Sequence, residues 1–429
     1  MGSPMDSSTH GLRYRLSIPK YLAVQAMEKV LPSRLASSGM LGLEYTPIPS
    51  KALPGADWLR LRPLLCGICG SDMALLTARN GPALSPFSSF PAVMGHEIVA
   101  EAIEVGPDVA SVSKGDRVVV DPFISCEMRG LEPCPSCSAG QRCLCTRTAE
   151  GNLAPGMLVG FCRDLPGGWS GEMVAHRSQV YRVPDEVLDD VAVLVEPFSV
   201  ALHAVLKLPP APGSHVLILG GGALGLLVLA ALRLLGLDCH VTVVARYPIQ
   251  VQMAGKLGAD VVHKHAGAAA VEVTGAVRYK PVKGRPVYTG GFDMVYDCVG
   301  TARSLDDAMR VASPDGKVIL VGCVGEICRA DLSFIWAREL HVTGSYGYST
   351  EHGLEGKPHT FEIALDLLGA NPDCPIGELV THRFPLSKWS EAIDINRRRS
   401  RSGAIKTIFD CRESGERRAG VAPSESPAG

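Results

Sequence analysis

The groups in this 429-residue chain best suited to chemistry are its thiols, 14 cysteines in all. Five fall within SCEMRGLEPCPSCSAGQRCLC, where Cys126, Cys134, Cys137 and Cys145 offer four thiolates on one short stretch, with Cys143 to spare. Four thiolates carried on loops close a tetrahedral site around zinc, and such a site holds together a lobe with little core of its own. A second group is dispersed: Cys69 in CGICGSD, His96 in MGHE and Glu196 in VEPFSVALHA. Thiolate, imidazole and carboxylate leave the fourth position of a zinc ion open, as a catalytic metal requires. The same residues also admit blander roles: Cys66 and Cys69 form a C-x-x-C that suits a redox pair, and a histidine beside Glu97 suits a satisfied core position.

Glycine is the second surplus, at 46 residues. In SHVLILGGGALGLLVLAALRLLG, Gly220, Gly222 and Gly225 form G-x-G-x-x-G after an apolar β-like run and at the start of a helical one, with Ala223 and Leu224 inside the motif. Each glycine has a job there: a tight turn, close approach of backbone to a pyrophosphate at the helix N-terminus, and close packing of helix on strand. Val299 in YDCVG and Gly322 in GKVILVG extend the candidate dinucleotide contacts. The next strand ends VTVVARYP, with Ala245 where an NAD site places an acid for the ribose hydroxyls and Arg246 directly after it. A guanidinium suits a 2′-phosphate and a carboxylate repels one, so NADP is expected over NAD, with NAD use despite the missing acid kept as the alternative.

These groups need elements to hold them. Runs at 58–64, 98–105, 117–120 and 179–183, separated by Gly and Pro, predict an irregular antiparallel barrel. From about 200 to 343 apolar runs alternate with helical segments, which predicts βαβ units around a parallel sheet, with 267–291 an irregular insertion. A helix at 360–368 and a strand at 404–409 follow, and 412–429 reads as a disordered tail. Lys and Arg total 42 against 44 Asp and Glu, so the balanced charge gives no basis for gripping nucleic acid or anionic lipid. MGSPMDSSTH lacks the pattern of a signal peptide, so reduced thiols and a cytoplasmic location are expected.

In their order along the chain, GICGSD, GHE, the four-cysteine lobe, EPFSVALHA and the glycine loop resemble the zinc-dependent medium-chain alcohol dehydrogenases, over about residues 50 to 411. The resemblance implies an α/β protein: a GroES-like β-rich catalytic domain from 1–199 and 344–411, and a Rossmann domain of doubly wound parallel sheet at 200–343. It implies Cys69, His96 and Glu196 as catalytic zinc ligands, Glu97 as a supporting or exchangeable ligand, Asp72 as the acid that orients the site and Ser71 as the hydroxyl that passes the substrate proton. It also implies a homodimer or homotetramer. Three departures stand out. The first gap of the cysteine lobe, Cys126 to Cys134, holds seven residues where the family has two, which puts Cys126 in question. Ala74 takes the place of the relay histidine many relatives carry, so the proton must leave by water or another group. Gly347 stands where polyol dehydrogenases carry an arginine, which argues against a sugar alcohol.

The expected activity is hydride transfer between an alcohol, or its aldehyde or ketone, and NADP. Two rivals share the fold: an enzyme that oxidises its substrate transiently for a net elimination or epimerisation, and a zinc-stabilised binding protein without activity. Phe87, Phe90, Phe161, Trp169 and Trp336 are candidates for an apolar substrate pocket.

Overall fold

The computed structural model describes residues 8–30, 41–322, 325 and 331–412. Apolar runs with β-branched residues form six parallel strands in the sheet order Val261–His263, Cys239–Val244, Ser214–Leu219, Phe292–Asp297, Ala312–Leu320, His341–Gly344. Numbered along the chain this is the 3-2-1-4-5-6 order of a Rossmann sheet, whose strand order reverses between the parallel neighbours Ser214–Leu219 and Phe292–Asp297. Ligands bind beyond the carboxyl ends of such strands at that switch. The apolar stretch at 216–232 is split between the strand Ser214–Leu219 and the helix Ala223–Leu234. No helix among the described residues is long and apolar enough to cross a membrane.

The second large sheet joins both ends of the chain. Its path runs Val380–Pro385, Lys406–Asp410, Trp58–Gly67, Ile98–Val105, Arg117–Val120, Val180–Arg182, with Met173–His176 paired off it to Trp58–Gly67. The C-terminal strand Lys406–Asp410 lies antiparallel to Trp58–Gly67, so residues more than three hundred positions apart in sequence become neighbours. The helix Val195–Lys207 bridges the two sheets: its buried face, including Phe198, Leu202 and Val205, shares one core with Leu65, Val99 and Val119 of this sheet and with the helix Ala223–Leu234.

Several elements differ from expectation. The N-terminal region forms a strand, Ser8–Tyr14, pairing with Leu43–Pro49 and with Ala92–Val93 in a three-stranded sheet, beside the helix Ile18–Val30. The insertion is ordered: a helix, Ala266–Thr274, and a hairpin of Val277–Tyr279 with Val287–Thr289. Of the expected disordered tail, Arg412 is placed and pairs with Asp189 at 2.6 Å, and the remainder lies outside the described residues.

Candidate active site

Cys69 stands where the strand Trp58–Gly67 gives way to the helix Gly70–Leu76 and is that helix's N-cap. Its backbone N–H donates to Asp72 Oδ2 at 2.9 Å, so the turn that places the thiol also locks the acid. The other carboxylate oxygen, Oδ1, lies 3.4 Å from His96 Nδ1 in a fully buried setting. That pairing leaves Nε2 as the nitrogen available to a metal, and Ser71 Oγ stands 3.4 Å from it. Burial opposes charge on His96, but Asp72 and the Cys69 thiol outweigh it and raise its pKa well above the ordinary value.

Glu196, in the first turn of the helix Val195–Lys207, brings the carboxylate from the other side. Burial lifts its pKa to about 8, with the charge of Glu97 adding and His96 and Lys406 opposing. The Tyr348 hydroxyl donates to Glu196 Oε1 at 3.3 Å. Glu97, by contrast, is paired with the buried Lys406 ammonium. Room for its carboxylate depends on Gly67, where a Cβ would sit 1.8 Å from Glu97 Oε2. A half-buried thiol, a buried imidazole beside an acid and a buried carboxylate are the donor types that zinc with an open position takes, although among the described residues only the lobe cysteines bring three or more such atoms within 4.8 Å of one another. Phe161 borders it, its ring centroid 5.9 Å from that of His96. Trp169 does not line a pocket: it is fully buried and its Nε1–H donates to Gly67 O at 3.0 Å, while Trp336 is exposed.

The four lobe cysteines meet. Sulfurs of Cys126, Cys134, Cys137 and Cys145 all lie within 4.8 Å of one another, with Cys126 Sγ and Cys145 Sγ 3.6 Å apart. The long first gap closes because the chain turns back at once: the N–H groups of Arg129 and Leu131 both donate to Cys126 O at 3.0 Å. Cys134 N–H then donates to Cys126 Sγ at 3.4 Å. Burial works against the Cys134 thiolate, yet hydrogen bonds involving Thr146 and Cys137 bring its pKa down to about 6, as suits a metal-binding sulfur. Arg129, fully buried, braces the lobe by donating to the carbonyls of Glu150 at 3.0 Å and Gly156 at 2.6 Å. Cys66 and Cys143 are both buried, and burial raises the Cys66 thiol well above its ordinary pKa, which makes it an inert packing group.

At the switch point the glycine loop opens on a cavity of about 770 Å³. Gly220 turns at φ +105°, and the helix rests on that turn so closely that a Cβ on Gly225 would lie 1.9 Å from Gly220 O. A Cβ on Gly222 would meet nothing within 4 Å, so its backbone faces the open cleft at the N-terminus of Ala223–Leu234, a cradle that fits a pyrophosphate. Gly220, Gly222, Arg246 and Val299 line the cavity; Ala223, Leu224, Gly225 and Gly322 do not. Gly322 instead packs against the neighbouring loop, where a Cβ would stand 2.8 Å from Gly300 N. Neither Arg246 nor Lys264, which shares the cavity, is in an ion pair among the described residues.

Sequence patterns missed several supports. Lys406 and Tyr348 each sit in stretches noticed for other reasons, AIKTIF and SYGYS, and a lysine inside an otherwise apolar strand was the available signal. Asp297, fully buried at the end of its strand, accepts from Val299 N–H at 3.0 Å, Gly300 N–H at 3.1 Å and Ser304 Oγ at 2.9 Å, so it shapes one rim of the cleft.

The chain is similar to known families over most of its length. The alcohol dehydrogenase GroES-like domain matches residues 55–185 and the zinc-binding dehydrogenase domain matches residues 223–370. Sorbitol dehydrogenase of Gallus gallus is 28% identical over 376 residues, covering 87% of this chain and 94% of its own. A Sinorhizobium meliloti 1021 protein described as a zinc-binding dehydrogenase, bound to NADP, superimposes with a TM-score of 0.67 at 27% identity, covering 94% of this chain and 99% of its own. The short chain alcohol dehydrogenase (rspB) of Escherichia coli CFT073, complexed with NADH, gives a TM-score of 0.67 at 25% identity, covering 86% and 96% respectively.

Proposed function

Because the chain belongs to the zinc-dependent medium-chain dehydrogenase/reductase superfamily and is an oxidoreductase, we propose that it moves a hydride reversibly between a hydrophobic alcohol, or its carbonyl partner, and NADP. The observation that carries the site is Asp72, which accepts from Cys69 N–H at 2.9 Å and stands 3.4 Å from His96 Nδ1, with Ser71 Oγ 3.4 Å from Nε2. Zinc held by these three side chains would supply a Lewis acid for the substrate oxygen, and the nicotinamide would supply the hydride partner.

The chain's own groups do the rest. Asp72 Oδ1, 3.4 Å from His96 Nδ1, is the acid placed to favour a proton on that nitrogen, and Tyr348 donates to the Glu196 carboxylate. Ser71, beside His96 Nε2, is placed to hold the proton of a substrate hydroxyl and hand it outward, since Ala74 offers no relay. Phe161 shields the reacting oxygen from bulk water. Arg246 and Lys264 support NADP: both line the cleft outside any ion pair among the described residues, and Ala245 brings no carboxylate against a 2′-phosphate. Gly347 supports a substrate without many hydroxyls. It holds φ +62°, and a Cβ there would lie 2.6 Å from the Phe123 ring, so no arginine fits at that position. A screen of aldehydes and ketones with NADPH, followed by its absorbance, tests the proposal. Bulky apolar carbonyls are expected to turn over ahead of ketoses; substrate conversion with no net change in NADPH would instead favour elimination or epimerisation.

A further inference from the structure

The insertion between the helix Ala266–Thr274 and the strand Phe292–Asp297 is outside the parallel sheet, yet it reaches the cofactor cleft. Its hairpin pairs Val277–Tyr279 with Val287–Thr289. Arg285, Pro286 and Tyr288 line the same cavity as Gly220, Gly222 and Arg246. The hairpin's returning side is fastened to the Rossmann body. The Arg285 guanidinium pairs with both Asp306 and Asp307 on the helix Ala302–Val311. Arg310 donates to Pro286 O at 3.2 Å, and Arg338 donates to Tyr288 O. The Tyr288 side chain rests on Gly267, where a Cβ would stand 2.1 Å from the phenolic oxygen. The outer side of the hairpin is free: Val277, Tyr279 and Val282 are exposed.

Charge divides the wall into two parts. The carboxylates of Asp306 and Asp307 are taken up by Arg285, by Arg310 at 2.9 Å and by Arg303 at 3.3 Å. On its cavity side the hairpin therefore presents a paired arginine, an aromatic ring and a proline, while Arg246, Lys264 and Arg399 line the cavity as cations in no ion pair among the described residues. An aromatic and proline wall suits the flat face of a purine; unpaired cations suit a phosphate.

We propose that the hairpin is an added wall of the cofactor site that grips the adenosine face of the dinucleotide, whatever the ribose carries, and leaves discrimination of the 2′-phosphate to Arg246 and Lys264. It rests on the cleft being the dinucleotide site, and not on the preference for NADP. Two consequences separate it from that preference. Losing the wall weakens NADPH and NADH by the same factor, whereas losing Arg246 changes their ratio.

The test uses the intact, zinc-loaded protein. Hydrogen exchange is measured alone, with adenosine 5′-monophosphate and with adenosine 2′,5′-bisphosphate; both ligands are expected to slow the amides of residues 285–289. Tyr288→Ala is expected to raise the Kd of NADPH and NADH alike by about tenfold, the scale of a lost aromatic–base contact, with Tyr288→Phe restoring both. Unchanged exchange across the hairpin at saturating ligand overturns the proposal. So does a Tyr288→Ala protein that binds both cofactors as the wild type does, or one whose loss falls on NADPH alone. If Tyr288→Ala does not fold, the exchange result on the wild type decides. If the wild type binds neither adenosine ligand, the dinucleotide site falls and the hairpin wall with it; if only Arg246→Ala leaves the NADPH to NADH ratio unaltered, the NADP preference falls and the wall stands.

Discussion

Lys406, on the last strand of one sheet, and Glu97, in the bend just before the strand Ile98–Val105, form an ion pair in which the side chains are 5% and 1% exposed. The pair ties the returning C-terminal strand to the loop that carries His96. Burial disfavours the ammonium, but Glu97 and Cys69 hold its pKa above the ordinary lysine value, so it stays charged. Removing one partner strands the other charge in a dry interior, a loss of about 3–5 kcal/mol. Lys406→Met is therefore expected to unfold at lower temperature and to bind less metal at the catalytic site, checked by calorimetry and metal counting. A variant with wild-type stability would show that water reaches Glu97.

The Tyr348 hydroxyl is the hydrogen-bond donor found on Glu196, at 3.3 Å, and the ring is buried among Phe123, Phe361 and His359. Tyr348→Phe keeps that packing and deletes the bond. Partners that hold a metal-binding carboxylate are worth about 10–100-fold in metal affinity. Competition with a chelator is expected to strip one metal more easily from Tyr348→Phe while the cysteine lobe keeps its own. Loss of both metals together would point to general unfolding.

The ligand candidates and the glycine loop were legible because each depends on residue type at fixed local spacing: C-x-x-C beside Ser and Asp, GHE, EPF, and G-x-G-x-x-G between a strand and a helix. What holds them was not. Lys406, Tyr348 and Gly67 act on partners carried by other elements, and the register of Lys406–Asp410 against Trp58–Gly67 is a property of the sheet, not of any local pattern. The insertion was invisible as structure for another reason. Its strands are three residues each, too short for alternation to show, and it is held by arginine bridges to the helix Ala302–Val311 more than by its own core. The cysteine spacing put Cys126 in question because seven residues separate it from Cys134; two backbone bonds to Cys126 O, which no local pattern shows, fold that gap into a compact turn.

Cys126 is therefore expected to behave as an equal member of the lobe. Its sulfur is 3.6 Å from that of Cys145, and the lobe's own apolar cluster is little more than the cysteines and Leu131. With so small a core, order in the lobe depends on the bound ion. Cys126→Ser is expected to lower the metal content by one ion per chain, as Cys134→Ser does, and to make residues 126–150 sensitive to protease. Retention of the full metal content by Cys126→Ser alone would restore the three-ligand alternative.

Arg246 is exposed, and among the described residues only its backbone is engaged, N–H to Gln250 Oε1 at 3.3 Å, which leaves the guanidinium to meet a phosphate. Charge-assisted bonds of this kind contribute about 1.5–3 kcal/mol, which corresponds to roughly ten- to a hundredfold in affinity. Arg246→Ala is expected to weaken NADPH by that factor and NADH hardly at all, measured by nicotinamide fluorescence. Equal weakening of both would remove the case for a 2′-phosphate contact.

His359 gives the fold an acid-sensitive point away from the candidate ligands. Burial, reinforced by the charges of Arg142 and His203, lowers its pKa to about 3, while an unfolded histidine titrates near 6.5. Between those values the unfolded chain binds the extra proton, so stability falls as pH falls through that window. Asp121, 3.8 Å from His359 Nε2, acts with the opposite sign. Burial raises its carboxyl to about 6, so between about 4 and 6 the folded chain holds the extra proton and stability falls as pH rises. A single substitution separates the two: His359→Gln removes the histidine's share, up to about 1.4 kcal/mol per pH unit. Thermal unfolding followed from pH 6.5 down to pH 4 is expected to decline less steeply in His359→Gln than in the wild type. Parallel slopes would mean that His359 takes up its proton in the folded state.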